Sequence, residues 1–433
     1  MKKLSAALLS CVVLAPAVAH AEKITIDYWM WDGQQLPVYQ QCAAAFHKQN
    51  PDITVNITQS AWDQYWTTLQ TALISGDAPD VFVNHLTRLP EFAQNEVIQD
   101  LKPLIDEARY DTDGYKDGLL DIWTKDGAIY GLPKDWATVA VAYDTAKLKA
   151  AGLTPADMAD LSWNPKDGGS FARVIERLTV DSKGRRGNEP GFDARNVKTF
   201  GFVTNNLSAH GETEWSYLAA STGWKFIDAP WAERYHYDDP RLVETLNWLR
   251  DLARVRHHMP TAEQSGRLGA ETLMFSDRGA VTVAGSWLIG LYHQNKPGIA
   301  FAPVPRGPEG RKSMFNGLAD SIWTGSDQPE AAWKWVQFLG SDACQSIVAE
   351  SAVVFPARRQ QIETAIAAYR KKGIDVSAFI DVATPGSTFQ YPITDHGNEI
   401  SSIAKTALDK VMLGQGDTAT IMKKANDEIN DLF

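Results

Sequence analysis

The chain has 433 residues, enough for two domains, and its 44% hydrophobic and 22% charged residues are typical of globular proteins. The net charge of −11 would repel phosphate backbones, so nucleic acid is not expected as a partner. Beyond residue 21, no segment carries the roughly 18 apolar residues that a membrane-spanning helix needs.

Residues 1–21 have the pattern of a secretory signal peptide. Two lysines precede a short apolar run, and Ala19-His20-Ala21 supplies the small residues that precede a cleavage site. We therefore expect a mature protein that begins near Glu22 and works in the periplasm. A lipoprotein is the alternative, since residues 8–11 loosely resemble a lipidation box, but lipidation at Cys11 would cut the apolar run short.

The first part of the mature chain alternates strand-like and helix-like segments. Strands are predicted where β-branched and aromatic residues cluster, and helices where apolar residues recur on one face. In chain order the prediction is a strand at Ile24–Trp29, a helix at Val38–Gln49, a strand at Ile53–Ile57, a helix around Tyr65–Leu73 and a strand at Asp80–Val83. This order indicates a mainly parallel sheet with covering helices.

A break in this alternation marks a crossing between two lobes. Tyr130-Gly131-Leu132-Pro133 interrupts the pattern, and Thr138–Tyr143 is predicted to be a new strand. Later elements are predicted as strands at Val281–Ala284 and Ile299–Val304, a helix at Pro329–Leu339, and a helical tail over Glu399–Phe433 with a break at Gly414-Gln415-Gly416.

The two cysteines outside the leader are Cys42 and Cys344. Neither has a CxxC companion or a histidine at a ligand-like spacing, so no metal site is expected. A disulfide is possible in the periplasm, but we expect two buried thiols instead.

Tryptophan is unusually frequent, with 15 residues. Trp offers a broad apolar face with a polar edge, which complements the C–H face and the hydroxyl rim of a sugar. We expect roughly ten of these side chains to serve in packing, because Trp is mostly buried in globular proteins. The remainder are candidates for platforms in a sugar-binding site.

Several short segments together carry a family resemblance. They are, in order, Phe46–Ile53, Leu73–Val81, Tyr130–Pro133, Val141–Asp144, Gly285–Trp287, Gln328–Ala332 and Phe355–Arg358. Each is weak alone, but the ordered set resembles the family 1 extracellular solute-binding proteins of ABC sugar importers, the maltose-binding-protein-like group. The resemblance covers nearly the whole mature chain.

The resemblance implies an α/β, periplasmic-binding-protein type II fold, with two α/β lobes and a ligand cleft between them. By analogy the N-terminal lobe comprises residues 22–136 plus 300–345, and the C-terminal lobe residues 137–299 plus 346–433. Ligands in open α/β sheets bind beyond the carboxyl ends of the strands, so the cleft is expected there. Closure about a few hinge residues would then bury the ligand.

Candidate ligand contacts in the N-terminal lobe follow its first three strands and reach the crossing. They are Trp31, Asp32, Trp62, Gln64, Asn84, His85, Asp135 and Trp136. Indole rings would stack on the sugar, and carboxylates and amides would accept or donate hydrogen bonds at its hydroxyls. The competing interpretations are a helix start for Trp62 and Gln64, a solvated loop for His85, and packing at the hinge for Trp136.

The remaining candidates come from positions that the resemblance places near the cleft. They are Trp224, Gly285, Trp287, Asn316, Asp320, Arg358 and Tyr391. A glycine directly before Ser286-Trp287 would let the backbone approach the ligand. Ordinary packing is the alternative for Trp224 and Tyr391, and a structural salt bridge is the alternative for Arg358.

The function expected from these observations is a monomeric, non-enzymatic periplasmic protein that binds a mono- or oligosaccharide without a cofactor. It would deliver this ligand to the permease of an inner-membrane ABC importer. A glycerol phosphodiester is an alternative ligand that would require Lys or Arg in the cleft, and a polyamine is one that would require several carboxylates. Two different functions compete with solute delivery: a secreted glycoside hydrolase, and a sensor that docks to a chemoreceptor.

Overall fold

The fold is described from a computed structural model over residues 23–265 and 268–433. The expected leader at residues 1–21 lies outside these residues. Within the described ranges, no helix has both the length and the apolar character needed to cross a bilayer.

Strands and helices alternate along most of the chain. The strands are β1 (Ile24–Met30), β2 (Ile53–Gln59), β3 (Val81–Asn84), β4 (Thr124–Lys125), β5 (Ala128–Ile129), β6 (Leu132–Ala137), β7 (Val139–Asp144), β8 (Val180–Asp181), β9 (Val197–Phe202), β10 (Gly279–Gly285), β11 (Ile299–Ala302), β12 (Ser313–Ile322), β13 (Phe355–Pro356) and β14 (Thr388–Gln390). The helices are α1 (Leu36–Gln49), α2 (Trp62–Ser75), α3 (Leu89–Gln94), α4 (Lys102–Ala108), α5 (Thr145–Ala150), α6 (Pro155–Ala159), α7 (Gly169–Leu178), α8 (Ser216–Ala220), α9 (Pro240–Arg254), α10 (Ala262–Ser265), α11 (Ala270–Phe275), α12 (Ile289–Asn295), α13 (Pro329–Leu339), α14 (Asp342–Ser351), α15 (Ile362–Lys371), α16 (Ser377–Ile380), α17 (Gly397–Met412) and α18 (Thr418–Asn430).

The first sheet has the strand order β13-β6-β12-β3-β1-β2, with β14 also paired to β12. Strand β1 runs parallel to both β2 and β3, and α1 and α2 connect these strands. The parallel start predicted from the sequence is therefore confirmed. Strand β12 joins this sheet antiparallel, between β3 and β6.

The second sheet has the order β11-β7-β10-β9-β8. Its strand β7 follows β6 after the single residue Thr138, so the chain crosses here from one sheet to the other, as predicted. The Thr138 hydroxyl donates to the carbonyl of Phe379 at 2.7 Å. Beside it, Ser313 Oγ at the start of β12 accepts from the Val139 amide and donates to the Val139 carbonyl, both at 2.9 Å. Two connections between the sheets are thus held side by side.

Strand pairing and the expected lobe ranges differ at two short segments. Strand β11 at Ile299–Ala302 belongs to the second sheet, although residues 300–345 were expected in the N-terminal lobe. Strand β13 at Phe355–Pro356 pairs with β6 in the first sheet, although residues 346–433 were expected in the other lobe. Which sheet a short strand joins depends on tertiary pairing, so the sequence pattern does not reveal that β11 and β13 belong to the other lobe.

The two cysteines form a disulfide, so the expectation of two buried thiols is wrong. Cys42 in α1 and Cys344 in α14 are fully buried, and their Cα atoms lie 5.2 Å apart. Helices α1 and α14 pack against each other, which brings together residues separated by 302 positions in the sequence. This packing could not be deduced from cysteine spacing.

Aromatic side chains fill much of the core. Nine of the 15 tryptophans are buried, close to the number expected for packing. Trp335, for example, meets Tyr28 and Phe46 edge to face, with ring centroids 5.7 and 5.3 Å apart. Such contacts rigidify the first sheet and its covering helices, so that the residues at the strand ends are held in fixed positions.

Candidate functional site

A cavity of about 710 Å³ lies between the two sheets. Its walls come from the ends of β1 and β6 and the middle of β12 on one side, and from the segments after β9 and β10 on the other. The residues that line it are Trp31, Asp32, Gln35, Trp62, His85, Asp135, Trp136, Ala137, Asn205, Glu212, Thr213, Glu214, Glu271, Ser286, Trp287, Leu288, Leu291, Asn316, Leu318 and Val354. Its volume lies within the usual range for small-molecule sites.

One wall of the cavity is an aromatic cluster. Trp31 directly follows β1, and Trp62 opens α2; their ring centroids lie 5.0 Å apart at nearly a right angle. Trp66 and His85 support Trp62 at 5.4 and 5.6 Å. Trp62 is nevertheless 46% exposed. The edge-on packing therefore fixes a large indole ring while leaving part of it available to a ligand.

The opposite wall presents Trp287, in a 3₁₀ turn directly after β10. The Trp287 ring packs directly against the backbone of Gly285. A Cβ atom at position 285 would lie 2.1 Å from this ring, so the observed ring position requires glycine there. Gly285 itself does not line the cavity. Its position indicates that it sets the orientation of Trp287 by leaving room for the ring.

Asp32 and Gln35 line the cavity just beyond β1. The Asp32 carboxylate accepts from the Gln34 amide at 2.7 Å and from Gln35 Nε2 at 2.9 Å. Gln35 Oε1 in turn accepts from the buried ammonium of Lys134 at 3.0 Å. The loop after β1 therefore orients both polar side chains before any ligand arrives.

Asp135 on β6 is a buried acid with an incomplete set of partners. Lys134 Nζ lies 3.9 Å from its Oδ2 atom, too far for a hydrogen bond, and Lys134 also lies 3.9 Å from the Tyr39 ring centroid. Burial raises the pKa of Asp135 to about 6, although the charge of Lys134 opposes this shift. Asp135 Oδ2 has no hydrogen-bond partner, and neither has Asn316 Oδ1 on the neighbouring strand β12.

Two further acids reach the cavity from the loop between β9 and α8. Glu212 Oε1 accepts from Asn316 Nδ2 at 3.2 Å, and the Glu214 carboxylate accepts from the Thr213 side chain and backbone. Burial raises the pKa of each glutamate to about 7. Both groups therefore titrate near neutrality.

The histidines beside these acids are neutral near pH 7. Burial, together with the nearby charge of Arg88, lowers the pKa of His85 to about 3 and that of His210 to about 4. His85 Nε2 lies 3.2 Å from Asn316 Nδ2, and its Nδ1 lies 2.8 Å from the Thr87 hydroxyl. His85 thus contributes hydrogen bonding and an aromatic edge rather than positive charge.

Residues 41–370 match the family described as bacterial extracellular solute-binding protein. The chain belongs to this family. It is 21% identical over 427 residues to a putative binding protein of Brucella abortus, covering 96% of this chain and 94% of that protein. It is 24% identical over 361 residues to an arabinooligosaccharide-binding protein of Bacillus subtilis, covering 78% and 76% respectively.

Solved structures agree with this family assignment at the level of the fold. An ABC substrate-binding protein from Listeria monocytogenes in complex with cycloalternan has a TM-score of 0.82 at 21% identity, covering 95% of this chain and 99% of that one. Maltose-bound MalE3 of T. maritima has a TM-score of 0.74 at 20% identity, covering 95% and 100%. The expected two-lobe α/β type II fold of a solute-binding protein is thereby confirmed.

Eight of the predicted contact residues of this solute-binding protein line one cavity. They are Trp31, Asp32, Trp62, His85, Asp135, Trp136, Trp287 and Asn316. Trp136 also stacks on Phe355, with ring centroids 4.8 Å apart, and Lys116 Nζ lies 4.8 Å from its ring centroid. Most of the Trp136 ring is therefore committed to packing, and it is only 2% exposed.

The other predicted residues lie outside this cavity, and several of them bind neighbouring protein groups. Asn84 donates to Ser321 Oγ at 3.1 Å, and Asp320 accepts from the Tyr28 hydroxyl at 2.7 Å. Trp224 Nε1 donates to the carbonyl of His236 at 2.8 Å. These contacts join each side chain to the protein, and Trp224 also lines a second cavity of about 600 Å³.

Gln64, Arg358 and Tyr391 also lie outside the cavity. Gln64 is exposed on α2. Arg358 is buried and donates to Gly340 O at 2.6 Å, Asp111 O at 2.8 Å and Tyr110 Oη at 2.7 Å. Tyr391 lines an adjoining cavity of about 600 Å³ and contacts the rings of His85 and His210.

Several residues that line the cavity were not predicted from the sequence. They include Gln35, Asn205, Glu212, Thr213, Glu214, Glu271, Ser286 and Leu288. Ser286 and Leu288 flank Trp287 and could have been included with it. Glu212 and Glu214 lie in an irregular loop, where no periodic pattern distinguishes them from surface acids. Within the described ranges, no three His, Cys, Asp or Glu side chains are placed to hold a metal ion.

Proposed function

We propose that this protein binds a mono- or oligosaccharide in the interlobe cavity and delivers it to the permease of an inner-membrane ABC importer. The observation that carries the proposal is one cavity that combines the indole rings of Trp31, Trp62 and Trp287 with polar acceptors. Indole faces suit the C–H surface of a pyranose, and carboxylates and amides suit its hydroxyls.

The charge of the cavity argues against an anionic solute. None of the described residues that line it is Lys or Arg, whereas a glycerol phosphodiester would need cationic groups around its phosphate. The names of several relatives point the same way. They include a lactose-binding protein of Rhizobium radiobacter and a maltodextrin-binding protein of Bacillus subtilis.

The proposal includes closure of the two lobes around the ligand. The N-terminal lobe is taken as residues 22–136 with 300–345, and the C-terminal lobe as residues 137–299 with 346–433. Strand β11 is assigned to the C-terminal lobe and β13 to the N-terminal lobe, because of the sheets in which they pair. Thr138 and Ser313 lie where the chain passes between the sheets, so they are the proposed pivot. A closed form with ligand inside would be the form that a permease recognises, and the leader at residues 1–21 would direct the chain to the periplasm.

Titration calorimetry against a carbohydrate panel tests the binding step. W31A and W287A are expected to weaken binding about tenfold, because each removes a stacking face worth up to about 1.5 kcal/mol beyond its buried area. The matched control is W323F, since Trp323 lies in the first lobe but not in the cavity. If W323F weakens binding as much as W287A, or if no carbohydrate binds, the proposed site is refuted.

Two further measurements separate binding from catalysis and test closure. Small-angle scattering with and without the bound sugar should show a smaller radius of gyration in the complex. Chromatography of the sugar after prolonged incubation should recover it intact. Release of hydrolysis products would favour a glycoside hydrolase instead.

A further inference from the structure

The cavity is lined by more carboxyl groups than a neutral sugar requires. Its lining includes five carboxyl groups, those of Asp32, Asp135, Glu212, Glu214 and Glu271, and no Lys or Arg among the described residues. Lys134 lies behind Asp135 and is itself buried, so it balances one acid from inside the protein rather than facing the cavity. His85 also lines the cavity and is neutral, so it adds no positive charge.

One residue of the cavity wall, Asn316, has a side-chain acceptor without a donor. Asn316 Nδ2 already contacts Glu212 Oε1 and His85 Nε2, which fixes the amide so that Oδ1 remains without a partner. Asp135 Oδ2 also has no hydrogen-bond partner, but it lies 3.9 Å from the buried ammonium of Lys134 and therefore faces the protein interior. Asn316 is more than nine-tenths buried, so leaving its Oδ1 unsatisfied is costly unless a ligand supplies a donor.

An ammonium group satisfies both features at once. It has three N–H donors and no acceptor, and its positive charge compensates carboxylates that burial otherwise disfavours. A hydroxyl offers one donor and no charge, so it would leave the acids uncompensated. Resting on the proposed sugar-binding function, we propose that the cleft selects a carbohydrate with a protonated amino group, an amino sugar, whose ammonium lies beside Glu212 and Asn316.

The test compares amino sugars with their hydroxyl counterparts. Glucosamine and glucose, galactosamine and galactose, mannosamine and mannose, and the amino and hydroxyl forms of the β1,4-linked glucose dimer are titrated at pH 6.5, with spermidine as a non-sugar amine. At least one amino sugar should bind at least tenfold more tightly than its counterpart. Equal or tighter binding of the neutral form overturns the inference but leaves the proposed function intact. Binding of spermidine alone overturns both. Binding of none of these probes overturns the inference, whereas the proposed function is decided by the wider carbohydrate panel.

Charge-neutral variants check where the selectivity arises. E212Q should reduce the amino-to-hydroxyl affinity ratio at least fivefold. The control E244Q, on the exposed face of α9, should leave the ratio unchanged. A melting scan establishes that E212Q is folded, and an unchanged ratio in folded E212Q contradicts the assignment of the ammonium to this subsite.

Proton release gives an independent readout. Because an ammonium favours the ionised form of Glu212 and Glu214, amino-sugar binding at pH 7 should release protons. Calorimetry in two buffers of different ionisation enthalpy measures this release directly. No proton release on tight amino-sugar binding would show that the ammonium lies away from these acids, contrary to the proposal.

Discussion

The disulfide between Cys42 and Cys344 makes a specific prediction about stability. It closes a loop of 302 residues, and the chain-entropy relation gives about 6 kcal/mol of stabilisation for a loop of that length at 25 °C. Unfolding entropy of about 2 cal/mol/K per residue amounts to roughly 0.9 kcal/mol/K for a chain of this size. Loss of the cross-link should therefore lower the melting temperature by about 6 °C.

Three variants separate the cross-link from the packing of the sulfur atoms. C42A and C344A each remove the whole cross-link, so each should lose most of the 6 °C, measured by calorimetry without reductant. The double variant C42A/C344A should lose little more than either single variant. Both sulfurs are fully buried, so the extra loss reflects only a small cavity.

Two results would refute this reasoning. One is a melting temperature of either single variant within 1 °C of the parent chain. The other is an effect of the double variant equal to the sum of the two single variants, which would assign the stability to packing rather than to the loop constraint. Thiol labelling of the unfolded parent protein provides the control, since it should detect no free thiol at either cysteine.

Three other outcomes follow from the structure. G285A should displace the Trp287 ring and weaken sugar binding at least tenfold in calorimetry, because its Cβ would lie 2.1 Å from the indole. R358A should cost about 3 kcal/mol in urea unfolding yet leave the affinity unchanged, since Arg358 lies outside the cavity. The folded-state pKa of His85 is lowered to about 3, so between pH 7 and pH 5 only the unfolded chain takes up this proton, which should cost the parent chain about 2 kcal/mol relative to H85N. Urea midpoints of the two proteins at both pH values measure this difference, because the raised pKa values of Glu212 and Glu214 act in the opposite direction but are common to both proteins.

The sequence pattern predicted those strands and helices whose formation depends on residues close together in the chain. Strands β1, β2 and β3 with helices α1 and α2 follow from alternating apolar residues and from Pro and Gly at their ends. Because the carboxyl ends of these strands face the cleft, Trp31, Trp62 and His85 could be placed in one cavity from sequence alone. Trp287 was found through its glycine-containing motif.

What the sequence did not show depends on contacts between distant segments. Cys42 meets Cys344 only because α1 packs on α14, and Glu212 reaches Asn316 across 104 positions from an irregular loop. Arg358 and Asp320 are polar residues in segments that were predicted to face the cleft, but their hydrogen-bond partners are other groups of the protein. Whether a polar side chain binds solute or protein is decided by tertiary packing, which leaves no periodic signal.

The paired connections at Thr138 and Ser313 restrict how the molecule can move. Two extended strands tied at Val139 would turn together in the proposed closure, so the two lobes are expected to move about one axis. One distance across the cleft would then describe the conformation. A donor and an acceptor dye, one fixed to α2 and the other to α12, would therefore report occupancy as a single optical signal, and the chain is a suitable scaffold for a fluorescent sensor of its own ligand.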